Sequence, residues 1–186
     1  MVDLTLALPV IASLILGRDG SYAPSTVLSN NLDRENFLKF HREATAILIG
    51  GETARNEPYL KISRPLFISS KRGEIPQHLF INEKVKILNL APAQAIEKVI
   101  EEISIDQIDY STRKNEVRKY IGIEGGPYFL MSVLKNSPEL ISEIRVSWVE
   151  PPEGHNNLKK LPHADFQELL SLLQKYWEKV KDLSAN

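Results

Sequence analysis

The sequence predicts an α/β domain, in three α/β/α layers with a mainly parallel central sheet. Apolar runs of strand length alternate along the chain with amphipathic segments of helix length, the pattern that lays helices on both faces of one sheet. The runs are apolar throughout rather than at every second residue, as in strands buried on two sides. At 186 residues, 42% hydrophobic and 25% charged, the chain suits one core of ordinary size and is not a disordered polymer.

The elements follow in order. Leu4 to Leu16 is almost wholly apolar but too short to span a bilayer, and Asp3 is the one charge before it, so it lacks the basic start of a signal peptide. It reads as a buried strand over Leu6–Ser13. Asp33 is positioned to cap a helix that carries Phe37, Phe40 and Ala44 on one face. Further strands are expected at Ala46–Ile49, Leu66–Ser69, Val85–Leu90, Tyr120–Glu124 and Ile144–Val149. Pro92 and Pro127 each sit where the first turn of a helix tolerates proline. Asp106–Lys119 is polar without clear periodicity and reads as an exposed connection, its basic run Thr112–Lys119 as a solvated face. Residues 1–150 form the expected domain, and the Pro-rich stretch 151–162 a linker. Residues 163–186 carry a helix from Asp165 to about Leu183, opened by an Asp165-x-x-Glu168 capping box and striped by Phe166, Leu169, Leu173, Tyr176, Trp177 and Val180. That helix packs on its own domain or on a dimer partner.

Charge and cysteine content exclude several chemistries. Lys plus Arg is 23 against 24 for Asp plus Glu, so there is no bulk electrostatic reason to bind nucleic acid or an anionic membrane. The chain has no cysteine, which removes disulfides, thiolate zinc sites and cysteine nucleophiles. His41, His78, His155 and His163 do not pair at metal-ligand spacing, so no metal is expected. No Gly-x-Ser-x-Gly elbow and no Gly-Lys-Ser/Thr phosphate loop occur. A cysteine-free chain without a membrane segment is expected in the cytoplasm.

Four segments remain that could carry chemistry. Ile47-Leu-Ile-Gly-Gly-Glu-Thr-Ala-Arg55 runs a buried strand into paired glycines and a threonine. Tyr120-Ile-Gly-Ile-Glu-Gly-Gly-Pro-Tyr-Phe-Leu130 repeats the pattern, with Glu124 at the strand's C-terminal end. Glycines let backbone approach a ligand, helix starts favour phosphate, and ligands of open α/β sheets bind at that edge. Leu66-Phe-Ile-Ser-Ser-Lys-Arg72 brings two hydroxyls and two cations to the same edge. Gly17-Arg-Asp-Gly20 is a turn signal behind the first strand. Each has a plain structural reading as a turn.

In this order the segments resemble the reductase domain of the riboflavin-biosynthesis deaminase/reductase, a branch of the dihydrofolate-reductase-like fold. The resemblance rests on Arg18-Asp19-Gly20, on Ala46-Ile-Leu-Ile-Gly-Gly-Glu-Thr-Ala-Arg55 and on Ile123-Glu-Gly-Gly-Pro127, and covers roughly residues 5–150. It implies an NADPH-dependent reduction of 5-amino-6-(5-phosphoribosylamino)uracil to the ribitylamino form. By the resemblance Gly50, Gly51, Thr53, Arg55 and Gly125, Gly126, Pro127, Tyr128, Phe129 hold the cofactor, and Ser69, Ser70, Lys71 and Arg72 read its 2′-phosphate. Ser25, His41, Arg42 and Glu124 face the substrate, with Asp19 and Glu124 in catalytic roles.

The chain departs from the family's pattern in places. Gly17-Arg18 stand where Ser-Leu would precede Asp19-Gly20, with Ile15–Arg18 a candidate insertion, and His41 falls where the family has an arginine for the substrate phosphate. A long C-terminal helix is expected where the family closes its sheet with a strand pair. A homodimer with this helix at or near the interface is expected. Alternatives are a same-fold reductase of another pterin or pyrimidine, and a non-catalytic nucleotide-binding protein.

Overall fold

A computed structural model describes residues 8–56, 64–72, 74–81, 84–110, 120–155 and 157–184. Seven strands form one sheet in the order β5-β4-β3-β6-β1-β7-β9, where β1 is Val10–Gly17, β3 Ala44–Gly50, β4 Leu66–Ser69, β5 Val85–Leu88, β6 Tyr120–Glu124, β7 Glu143–Val149 and β9 Val180–Asp182. Every pairing within it is parallel. The two central strands are apolar or small at nearly every position and buried throughout, as expected of strands covered on both faces.

The helices divide between the faces. Helices α4 (Pro92–Tyr110), α5 (Gly126–Asn136) and α6 (His163–Lys175) belong to a core that takes in Leu14, Leu48, Ile96, Val99, Leu130, Val146 and Leu169. On the opposite face α2 (Asn31–Glu43) brings Phe40 onto Ile11, Ile47, Ile49, Leu66 and Tyr120. The shorter helices are α1 (Ser25–Leu28) and α3 (Gly51–Asn56), and β2 (Ser21–Ala23) pairs antiparallel with β8 (Lys159–Lys160). This second face is covered over β3 and β6, while over β1, β7 and β9 it borders a cleft.

Several sequence expectations need correction. The first strand runs Val10–Gly17 rather than Leu6–Ser13; Leu6 and Ala7 lie outside the described residues. Ile15, Leu16 and Gly17 belong to β1, which turns into β2 after Gly17. Asn30, not Asp33, caps α2, with Asp33 as the reciprocal partner of a capping box. Helix α4 continues through 106–110, which had read as connection, and 111–119 lie outside the described residues. The C-terminal helix stops at Lys175 and starts at His163, with Pro162 as its N-cap and no side-chain cap, so the Asp165–Glu168 box does not form.

The end of the chain also differs from expectation. After a turn over Trp177–Lys179, Val180–Asp182 becomes β9 and pairs with β7 along Ile144↔Val180 and Val146↔Asp182. The sheet edge that seemed to lack a closing strand thus receives one. The helical stripe misled because Tyr176 and Val180 do pack against the core, but from a turn and a strand, while Trp177 is 72% exposed. No described helix is long and apolar enough to cross a membrane.

Candidate functional site

A cleft of about 350 Å³ opens at the C-terminal ends of β3 and β6 and runs across the uncovered face toward β7 and β9. At the first end it is lined by Glu52 and Thr53 of α3, Glu124, and Gly125 through Tyr128, with Tyr22 and Ser25 opposite. At the other end it is lined by Ser13, Ile15, Glu143, Arg145, Ser147 and Lys181. The topology explains the gathering: β3 and β6 are neighbours, so the turn after each opens onto the same edge.

The paired glycines serve these turns through close packing. A side chain on Gly50 would meet the Gly125 carbonyl oxygen at 3.2 Å, and one on Gly125 would meet the Phe129 ring at 2.2 Å. One on Gly51 would come within 2.7 Å of the Ser70 hydroxyl. Gly126 has φ +71°, a left-handed conformation that favours glycine, and from it α5 begins with no side-chain cap. Its first-turn N–H groups are open to an acceptor in the cleft. Thr53 stands across from Gly126, its hydroxyl 3.9 Å from where a Cβ there would lie. Gly125, Gly126, Pro127, Tyr128 and Thr53 therefore share the cleft; Gly50, Gly51, Arg55 and Phe129 shape its edge without lining it.

Glu124 is a buried acid of the site, and Asp33, also buried, lines the same cleft. The Glu124 Oε1 is 2.7 Å from Nε2 of His41, with the carboxylate side chain 8% and the imidazole 17% exposed. His41 comes from the last turn of α2, its ring packed on Phe37 at 4.2 Å between centroids. Glu124 lines the cleft and His41 does not, so the histidine stands behind the acid. Arg42, next in sequence, is exposed, and its carbonyl accepts a bond from Arg64.

Other sequence candidates lie elsewhere. Asp19 does not line the cleft: it accepts the Ser21 N–H at 3.1 Å and pairs with Lys160, tying the turn after β1 to β8. Burial pushes its carboxyl up, but those bonds outweigh it and hold Asp19 below its ordinary value. Ser69 donates to the Leu90 carbonyl at 2.9 Å, and buried Ser70 packs under Gly51. Of that loop only Lys71 and Arg72 are exposed, with Arg55 close to the same turn.

The structure adds residues that sequence reading passed over. The Arg145 guanidinium lies over the Tyr120 ring at 5.2 Å and the Phe40 ring at 5.7 Å while donating to Glu143 at 2.7 Å. Lys181 reaches the same Glu143 from β9. Burial alone would raise Glu143, yet the two cations keep it below the usual glutamate value. At the mouth Tyr22 and Tyr128 meet edge to face at 6.2 Å, and the Tyr128 hydroxyl donates to Asp165. Partial burial, then the Asp165 carboxylate, push Tyr128 up to about 12. Lys159 pairs with Glu52 across that mouth at 2.6 Å. The signal missed was alternation: Glu143, Arg145 and Ser147 fall at every second position of a strand otherwise apolar. No group of metal-ligating side chains occurs among the described residues.

No family model matches the sequence, and no curated protein matches it. Among solved structures the chain is similar to Acinetobacter baumannii RibD in two forms. One superposes with a TM-score of 0.56 at 13% identity over 85% of this chain and 52% of that one. The other gives 0.55 at 14% identity over 85% and 51%. The chain thus spans about half the length of these relatives. It has their α/β fold, the dihydrofolate-reductase-like arrangement of a parallel sheet between helices.

Proposed function

We propose that this chain is an NADPH-dependent reductase of riboflavin biosynthesis that reduces 5-amino-6-(5-phosphoribosylamino)uracil to its ribitylamino form. One observation carries the reading: a buried carboxylate, Glu124, and an uncapped helix start, Gly126–Tyr128, share one cleft at the C-terminal edge of a parallel sheet. The fold shared with RibD is consistent with it.

The residues present fit a dinucleotide. Gly126 leaves space that a side chain would fill, Thr53 offers a hydroxyl across it, and the first turn of α5 offers N–H groups to a pyrophosphate. Among the described residues Lys71, Arg72 and Arg55 are cations at the neighbouring turn that could meet a 2′-phosphate, whereas Ser69 and Ser70 serve the fold. When bound, the reduced nicotinamide supplies the hydride. The protein's part is to orient the substrate, exclude water and present Glu124 to the opened ribose. The same reading places the protein in the cytoplasm as a homodimer.

His41 favours a second reading. The position that the resemblance assigns to the substrate phosphate is engaged with Glu124 behind the cleft wall. That suits a reductase of the same fold whose pterin or pyrimidine substrate presents no phosphate there.

Melting curves with NADPH, NADH and no ligand test the reading, because a bound ligand raises the melting point with occupancy. Oxidation of NADPH with the phosphoribosylamino uracil and with its dephosphorylated form then separates the two. Stabilisation by NADPH and turnover of the phosphorylated compound are expected. Absence of any NADPH effect overturns both readings.

A further inference from the structure

We propose that His41 is a positioning residue that orients Glu124 and replenishes the proton consumed at each reduction. The inference rests on the reductase reading above. A carboxylate as buried as Glu124 is costly unless it is paired, and the imidazole at 2.7 Å is a partner that can also hold a proton. The two groups differ in access: Glu124 faces the cleft, while His41 stands behind it with twice the exposure, 17% against 8%. Phe37 and Phe40 pack beside the imidazole, at 4.2 Å and 6.3 Å, and fix the ring toward the acid. Of the two, His41 is the more exposed, and Glu124 is the one that lines the cleft.

Reduction of a polar double bond consumes one proton, which such a pair can supply. A bound reduced nicotinamide would supply hydride to the carbon; the π electron pair would then pass to the attached oxygen or nitrogen, which must take one proton. The proton leaves the His41–Glu124 pair through the Glu124 carboxyl. The pair is left one proton short and regains it from water at the imidazole. The balance would be one hydride from the cofactor and one proton from the pair, both ending on the substrate.

Three variants test this on the full chain, with NADPH and the phosphoribosylamino uracil as probes. His41→Gln keeps a hydrogen-bond donor of similar reach but cannot relay a proton. Its kcat is expected to fall about a hundredfold or more, with KM, NADPH affinity and melting temperature within about twofold or a degree or two of the parent. In His41→Ala, added imidazole is expected to raise kcat saturably while KM and melting temperature stay unchanged, whereas refilling a merely structural cavity would raise the melting temperature as well. Without cofactor, the His41 N–H shared with Glu124 is expected downfield in ¹⁵N-histidine NMR, and Glu124→Gln is expected to move it upfield because the stronger acceptor is gone.

An unchanged kcat in His41→Gln, or absence of imidazole rescue in a folded His41→Ala, overturns the proposal and leaves the reductase reading standing. Loss of NADPH affinity and melting temperature together with kcat in His41→Gln makes the residue a prop, and also overturns it. A parent protein that neither binds nor oxidises NADPH overturns the reductase reading itself, and the proposal with it.

Discussion

Gly122 lies at the centre of the sheet, beside Ile11 of β1 and Ile47 of β3, and its missing side chain is what lets α2 seat Phe40. A Cβ there would stand 2.7 Å from Phe40 Cε1, 2.9 Å from Phe40 Cζ and 2.9 Å from Ile47 Cδ1. Carbon atoms rest about 3.5–4.0 Å apart, so in Gly122→Ala the ring must withdraw by about 1 Å. Ile47 can turn its terminal methyl aside, but Phe40 is held. Its ring lies 5.2 Å from that of Tyr120, and its carbonyl accepts both the Tyr120 hydroxyl at 2.9 Å and the Ala44 N–H that ends α2. Overpacking of this kind costs about 1–3 kcal/mol. For a chain of this size each kcal/mol lowers the melting point by about 2–4 °C, so a drop of about 2–12 °C is expected by calorimetry without ligand. Phe40→Leu removes the clashing ring, so the double variant is expected to be more stable than the sum of the single effects by about 0.5–3 kcal/mol. Since His41 follows Phe40, Gly122→Ala is also expected to disturb the His41–Glu124 pair and lower turnover. A Gly122→Ala protein that melts like its parent, or strict additivity with Phe40→Leu, refutes the reasoning.

Three further outcomes are expected. Replacing Lys71 and Arg72 together by Ala should erase most of a roughly tenfold or larger preference for NADPH over NADH, since one charge-assisted contact is worth about 1.5–3 kcal/mol; equal affinities in the parent, by fluorescence titration, reject the assignment. Ending the chain at Tyr176 removes β9, whose pairing, with the Leu183 N–H to the Val146 carbonyl and the Trp148 N–H to the Ser184 hydroxyl, covers the β7 edge. Aggregation or a lowered melting point is expected from the bared edge, whereas removal of residues 163–186 should also abolish the proposed dimer; a parent that sediments as a monomer rejects that dimer. Asp19 and Glu143 are both held below their ordinary values of 3.8 and 4.5, so their stabilisation is complete above those values and fades as pH falls through the lower folded ones. Acid unfolding curves should therefore show a smaller loss in Lys160→Met and Lys181→Met than in the parent; identical curves count against it.

The sequence by itself determined the layered α/β fold and most of the sheet, because both depend on short-range patterns. Leu66–Ser69 and Tyr120–Glu124 are strands to the residue, and Pro92 opens its helix as its fixed φ suggests. Paired glycines behind two buried strands marked the edge where Thr53, Glu124 and Gly125–Tyr128 meet. Only the tertiary structure decided which polar side chains serve a ligand and which serve the fold. Ser69 and Ser70 look free in the sequence, yet the Leu90 carbonyl and Gly51 occupy them; Asp19 looks like part of a site until Lys160, 141 positions further on, claims it. Glu124 acquired its histidine across 83 positions of chain, and Arg145 its two aromatic rings. The C-terminal segment shows the same limit: Val180 continues a helical stripe, but an unpaired β7 edge offered a ladder of hydrogen bonds, and the chain took that instead. Local propensity can be read from neighbours in sequence, whereas the competition for a distant partner is settled only when the fold brings both groups together.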